Sequence, residues 1–284
     1  MAFISGFIFA TIILGSLALP APDPDLSQFF EHVDVNAQGR IVGGSVAPDG
    51  SHPHMAAMIN GARIRALVCG GSILSQRTVL TAAHCIAAVW NNGAVISGLH
   101  VAVGTNEWAQ GGSVYRITYN ATHPNYVAST IKNDLGVIYT NSPIAFSAIV
   151  RPIFLDFEVI GAGIEARAAG WGRITHQGAI SAQLLELDVF TVSGPDCVED
   201  VARIAEANNM RPPPVEPHIE LCTMHTAGAD HGMCNGDSGS ALVRRDRGTQ
   251  IGIVSWGIPC ARDAPDMFVR VSAYEDWLMR HTQN

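Results

Sequence analysis

Charge is scarce in this chain. Only 15% of its 284 residues are charged, against roughly 25% in average soluble domains. Lysine occurs once, at Lys132, among 17 basic residues. With 25 acidic residues the net charge is −8. That balance lacks the clustered Lys and Arg a phosphate backbone requires, so nucleic acid is excluded as a partner. Glycine and proline, at 28 and 15 residues, fall short of the share that marks low-complexity disorder. No apolar run reaches the roughly 20 residues of a membrane-spanning helix. CxxC spacing is missing too, which leaves little case for a cysteine metal site. What remains is a chain with 48% hydrophobic residues, predicted to fold and bury much of itself as one large domain or two small ones.

The amino-terminal stretch is a targeting signal in outline. Phe7 to Leu19 is almost wholly apolar, and no Lys or Arg precedes Arg40. Small residues at Ser16 and Ala18 predict a signal peptide over 1–18, cleaved after Ala18, rather than a buried helix. The product is expected to be secreted, extracellular and free of the membrane. Residues 19–40 form a proline-rich segment with Asp23, Asp25, Glu31 and Asp34 against Arg40 alone. In an oxidising compartment Cys69, Cys85, Cys197, Cys222, Cys234 and Cys260 read as three disulfides, with all 15 pairings open. Asn120-Ala121-Thr122 is a glycosylation sequon, suited to a surface turn.

The texture changes at Arg40-Ile41-Val42-Gly43-Gly44. Short β-branched runs follow, such as Val101-Ala102-Val103, Val137-Ile138-Tyr139 and Ile251-Gly252-Ile253-Val254, broken by Asn92-Gly93, Gly111-Gly112 and Arg247-Gly248. Many short strands with Gly and Pro punctuation predict an all-β barrel or sandwich. Two helices are expected. One is capped by Asp196, runs through Val201, Ile204 and Ala205, and is stopped by Pro212-Pro213-Pro214. The other covers Ala273 to Met279.

Three local patterns carry chemistry: Thr81-Ala82-Ala83-His84-Cys85, Asn133-Asp134-Leu135 and Cys234-Asn235-Gly236-Asp237-Ser238-Gly239-Ser240. A serine hydroxyl is a poor nucleophile until a base takes its proton, and an imidazole titrating near neutrality suits that task. A buried carboxylate then fixes the imidazole tautomer. Histidine, aspartate, serine is one of the chain orders such triads use. Glycines beside the serine let the backbone turn so that N–H groups point at a developing oxyanion.

With Ile41-Val42-Gly43-Gly44, Gly170-Trp171-Gly172 and Ser255-Trp256-Gly257 in the same order, the chain resembles a chymotrypsin-fold (trypsin-like) serine protease from about Ile41 onward, of the insect chymotrypsin and collagenolytic type. The resemblance implies two six-stranded antiparallel β-barrels with a C-terminal helix, residues 41–284 being the protease domain. It also implies a peptide-bond hydrolase without cofactor or metal. Ser238 would be the nucleophile, His84 the general base and Asp134 its orienting carboxylate, with the N–H groups of Gly236 and Ser238 as the oxyanion hole. Cys69–Cys85, Cys197–Cys222 and Cys234–Cys260 would be the disulfides. Cleavage after Arg40 would free the Ile41 amine to pair with Asp237, and before that event the oxyanion hole would be unformed. Partners would be protein or peptide substrates, an activating protease and protein protease inhibitors, the enzyme itself being a monomer.

Specificity departs from the family pattern. The position acidic in trypsins is Gly232 here, followed by Met233, while Asp266 stands where the family usually has glycine. With Ser255, Trp256 and Gly257 these would line the substrate pocket. The arrangement implies chymotrypsin-like or broad cleavage, with Asp266 admitting basic side chains from the opposite wall unless it faces solvent. Ser240 and Ala241 replace the usual Gly-Pro, and the interval from Cys197 to Cys222 is longer than usual. Arginine in place of lysine keeps its charge at high pH, which suits digestion in an alkaline gut lumen. A regulatory enzyme of limited proteolysis and a non-catalytic homologue acting as a binding module are the rival expectations.

Overall fold

The computed structural model describes residues 44–91, 94–173, 178–225, 231–258 and 264–282. The expected leader, propeptide, Arg40, Ile41 and Cys260 therefore lie outside the described residues. The chain runs β1 (Ser45–Val46), β2 (Met55–Asn60), β3 (Ala66–Ile73), β4 (Thr78–Thr81), α1 (Ala83–Val89), β5 (Trp90–Asn91), β6 (Ala94–Val95), β7 (Leu99–Val103), β8 (Ser113–Thr122) and β9 (Gly136–Thr140). It continues with β10 (Glu165–Gly170), β11 (Leu185–Val192), α2 (Gly194–Ala207), β12 (Glu220–Met224), β13 (Ala241–Arg244), β14 (Thr249–Gly257), β15 (Asp266–Arg270) and α3 (Glu275–Thr282).

Strands β2-β3-β4-β9-β8-β7 close into one antiparallel barrel. A second set runs β11-β10-β13-β14-β15-β12, and because β12 also pairs with β11 it closes as a second six-stranded barrel. β1 hangs on the outside of β11. The period-2 alternation of a strand explains how the barrels meet. In β2, Ala56 and Met58 face the first barrel's core, beside Leu80, Val101 and Val137. Met55, Ala57 and Ile59 face the other way, into a seam with Ala169, Trp171 and Leu184 of the second barrel. Both faces of β2 are thus buried, which is why it reads as a continuous apolar run.

The α3 helix returns to the first barrel, where Tyr274, Trp277 and Leu278 join its core. A 3₁₀ turn, Val271–Tyr274, precedes it, so the predicted helix begins two residues later than expected. The α2 helix departs further from expectation. Its cap is Ser193, whose hydroxyl accepts from the Asp196 N–H at 3.2 Å and donates to the Asp196 carboxylate at 2.6 Å. Ser193 can reach back to a free amide of the first turn, whereas Asp196 is already inside that turn. The helix ends at Asn208 and Asn209, the latter at φ 53°, before Pro212 is reached. The short α1 helix was not expected; a seven-residue segment with five buried side chains carries no amphipathic period to recognise. The Asn120 sequon lies within β8, paired with Ile138, rather than in a turn.

Two disulfides join Cys69 to Cys85 and Cys197 to Cys222. Cys234 is disulfide-bonded as well, and its expected partner Cys260 lies outside the described residues.

Candidate active site

Three polar side chains far apart in sequence meet in the cleft between the barrels. His84 is the second residue of α1, held against β3 by the Cys69–Cys85 bridge. Asp134 lies in the loop between β8 and β9, and Ser238 in the turn before β13. All three are buried, at 8%, 1% and 0% exposure. The Ser238 carbonyl accepts from the Gly70 N–H at 2.8 Å, which ties the second barrel's turn to the first barrel's strand.

Asp134 gathers three donors. Its Oδ1 accepts from the His84 backbone N–H at 2.8 Å, and its Oδ2 from His84 Nδ1 at 2.7 Å and from the Ser255 hydroxyl at 2.6 Å. Burial alone would raise the carboxyl's pKa, but the electrostatic pull of the His84 imidazole and these hydrogen bonds outweigh it and hold the pKa below the ordinary carboxylate value. An ionised carboxylate only accepts, so Nδ1 carries the imidazole proton and Nε2 presents its lone pair. That lone pair lies 2.8 Å from Ser238 Oγ, within proton-transfer reach.

The turn that presents Ser238 needs glycine. Gly236 has φ 104°, a conformation L side chains rarely adopt. Beside it, a Cβ on Gly172 would stand 2.2 Å from Asp237 Oδ2. Asp237 is fully buried, its oxygens accepting from the Gly172 N–H at 2.8 Å and the Cys234 N–H at 3.1 Å. Burial pushes its pKa up to about 7, with the two amides pulling the other way. Ser240 fits into the same turn because Gly70 opposite has no side chain; a Cβ there would fall 2.0 Å from the Ser240 hydroxyl.

Asp266 does not face solvent. At 8% exposure it sits between Gly232 and Gly257, where a Cβ on either would lie 3.0 or 3.5 Å from its carboxylate oxygens. Its Oδ2 accepts from the Met233 N–H at 2.9 Å. Burial pushes its pKa up to about 8, against that hydrogen bond. Met233 and Trp256 are buried beside it, so Gly232, Met233, Trp256, Gly257 and Asp266 form one neighbourhood. Ser255, read from the sequence as a pocket residue, turns its hydroxyl to Asp134. Two residues that the sequence reading missed stand behind this wall: Lys132 and Glu220, ion-paired at 2.6 Å. Eighty-eight positions separate them, and no local signal links them.

Among the described residues the one group of possible metal donors is Cys69, His84 and Cys85. Both sulfurs are committed to a disulfide, so that donor set does not fit an ion.

Paired β-barrels with a serine, histidine and aspartate in the cleft define a serine endopeptidase of the chymotrypsin-like fold. The chain belongs to the trypsin family: the Trypsin family model matches residues 41–278. Chymotrypsin-2 of Vespa crabro is 32% identical over 242 residues, covering 85% of this chain and 99% of that protein. Trypsin delta of Drosophila melanogaster is 30% identical over 243 residues, covering 85% and 88%. Trypsin, alkaline B of Manduca sexta is 33% identical over 261 residues, covering 88% and 93%. No helix among the described residues is long and apolar enough to cross a membrane.

Proposed function

We propose that this serine endopeptidase is secreted and made as a zymogen. Residues 1–18 are a signal peptide, 19–40 an activation propeptide, and 41–284 the protease released by cleavage after Arg40. Ser238 Oγ attacks the scissile carbonyl while its proton passes to His84 Nε2. The N–H groups of Gly236 and Ser238 receive the resulting oxyanion. His84 then protonates the leaving amine, giving an acyl-enzyme. Water attacks the ester with His84 again as base, and the carboxylic acid product leaves. The single observation carrying this reading is the unbroken hydrogen-bonded line Ser238–His84–Asp134, with contacts of 2.8 and 2.7 Å.

The pocket supports broad cleavage with a chymotrypsin-like lean, and a digestive role follows from such breadth. Gly232 leaves room for large apolar side chains, while Asp266, whose pKa burial raises, ionises against an entering basic one. Once zymogen is cut after Arg40, peptide substrates with Phe or Leu before the scissile bond should be hydrolysed along with those bearing Arg or Lys. Asp266→Asn should retain the first pair and lose about tenfold or more in kcat/KM on the second, the scale of a lost buried charge contact. Exclusive cleavage after Arg, or an Arg:Phe ratio untouched by Asp266→Asn, would overturn this specificity.

Activation has a pH signature. In the folded, uncleaved chain the Asp237 pKa lies near 7, above its ordinary 3.8. The group therefore favours the folded state fully below its ordinary value, and that contribution is lost as pH rises toward 7. A freed Ile41 amine would supply a cation to pair with it. The melting-temperature gap between cleaved and uncleaved protein should thus widen from about pH 4 to pH 7. It should close again above about pH 8, where the amine, held protonated past its ordinary value, finally deprotonates. A gap constant over that range would exclude the Ile41–Asp237 pair.

A further inference from the structure

We infer that Lys132 and Glu220 are positioning residues: their buried ion pair fixes the Trp256 indole as a wall of the substrate groove. This inference depends on the proposed role of Ser255-Trp256-Gly257 as the substrate-binding segment. Lys132, the chain's one lysine, is 4% exposed and sits in the first barrel's loop, two residues before Asp134. Glu220 is 5% exposed and begins β12 of the second barrel. Its Oε1 accepts from Lys132 Nζ at 2.6 Å and from Trp256 Nε1 at 2.8 Å, while its Oε2 accepts from the Glu216 N–H at 2.6 Å. The ammonium also lies 5.2 Å from the centroid of the Trp256 ring. The indole is thus held at its N–H edge by a carboxylate whose charge Lys132 balances.

The surrounding backbone points the same way. Ile131 and Asn133, on either side of Lys132, have φ of 52° and 54°. A β-branched residue is seldom found in that left-handed region and persists there only where its neighbours hold it. Ile131 packs with Trp256 and with Val201 and Ile204 of α2, so the long excursion between Cys197 and Cys222 backs the same wall. A buried ion pair adds little net stability over apolar side chains of similar size. What it specifies is geometry, here the relation of the loop bearing Asp134 to the strand bearing Trp256. Asp134 has its own tie to that strand through Ser255, so the ion pair can be altered without dismantling the hydrogen bonds of the catalytic carboxylate.

The test compares a single-residue ester with a tetrapeptide amide carrying the same residue before the scissile bond. Hydrolysis of the ester by wild-type enzyme secures the underlying protease reading; its failure would sink that reading and this inference with it, whereas the variants below test the inference alone. In Lys132→Met, KM for the tetrapeptide should rise about tenfold, the scale seen when a group orienting a functional residue is lost. KM for the ester and kcat for both should stay within about twofold, and Lys132→Arg should recover most of the tetrapeptide KM. Should Lys132→Met fail to fold, Glu220→Gln keeps an acceptor for the indole while removing the charge, and the same selective rise is expected. If KM for tetrapeptide and ester move together, or neither moves, the pair serves stability alone and the inference is overturned.

Discussion

Ser238→Ala is expected to lower kcat about a millionfold, the loss seen when the nucleophile of such a triad is removed. The hydroxyl lies 2.8 Å from His84 Nε2, and alanine leaves the imidazole with no oxygen to activate. Binding and oxyanion contacts remain, so a residual acceleration of about 10³-fold to 10⁴-fold over water should persist. Folding should be nearly untouched. The truncated atom is a single hydroxyl, and a lost hydrogen bond costs about 1 kcal/mol, a shift of roughly 2–4 °C in melting temperature for a domain of this size. Burst kinetics with an ester that releases a chromophore give a direct readout: the wild type should show one acyl-enzyme equivalent and the variant none. A burst surviving in the variant would place the nucleophile elsewhere.

The second large effect is expected from Asp134→Asn, about 10⁴-fold in kcat, the size of such a tautomer reversal in triads of this kind. An amide oxygen in place of Oδ1 can still accept from the His84 backbone N–H, now at 2.8 Å. The amide NH₂ then faces Nδ1 and the Ser255 hydroxyl, which both now donate to Oδ2. Nδ1 becomes the acceptor, the proton moves to Nε2, and Ser238 loses its base. The three donors around Asp134 lock that wrong state in place, because the Ser255 hydroxyl can simply rotate to accept. KM should change little, since no substrate contact is lost. A fall of less than tenfold in kcat would mean that His84 does not depend on this carboxylate for its tautomer.

Much of the site was readable before any fold was known, because its chemistry is local in sequence. The tight turn that presents the serine needs glycine within one or two residues of it, as at Gly236 with φ 104° and at Gly239 with φ 80°. Strands announced themselves as short β-branched runs between turn signals, as in Val101 to Val103 and Val137 to Tyr139, where both faces of the ribbon are buried. The helix caps were less readable. Ser193 and Asp196 are both good capping residues, and only the 3.2 Å contact from the Asp196 amide to Ser193 decides between them. The sequon lies in β8 rather than in a turn because pairing with β9 carries Asn120, a turn former, into a strand that suits the β-branched Thr122.

The amino-acid sequence by itself determined the family, the all-β class, the triad's residue types and the even set of cysteines. Each depends on a few neighbouring residues or on short β-branched runs broken by turn signals. The tertiary structure alone decided that the Ser255 hydroxyl meets Asp134, that Asp266 turns inward between two glycines, and that the single lysine is buried against Glu220. Those facts depend on where barrel closure brings distant segments. Burial raises the cost of an unpaired charge or hydroxyl, so Lys132, Asp266 and Ser255 take the partners that closure sets within about 3 Å of them.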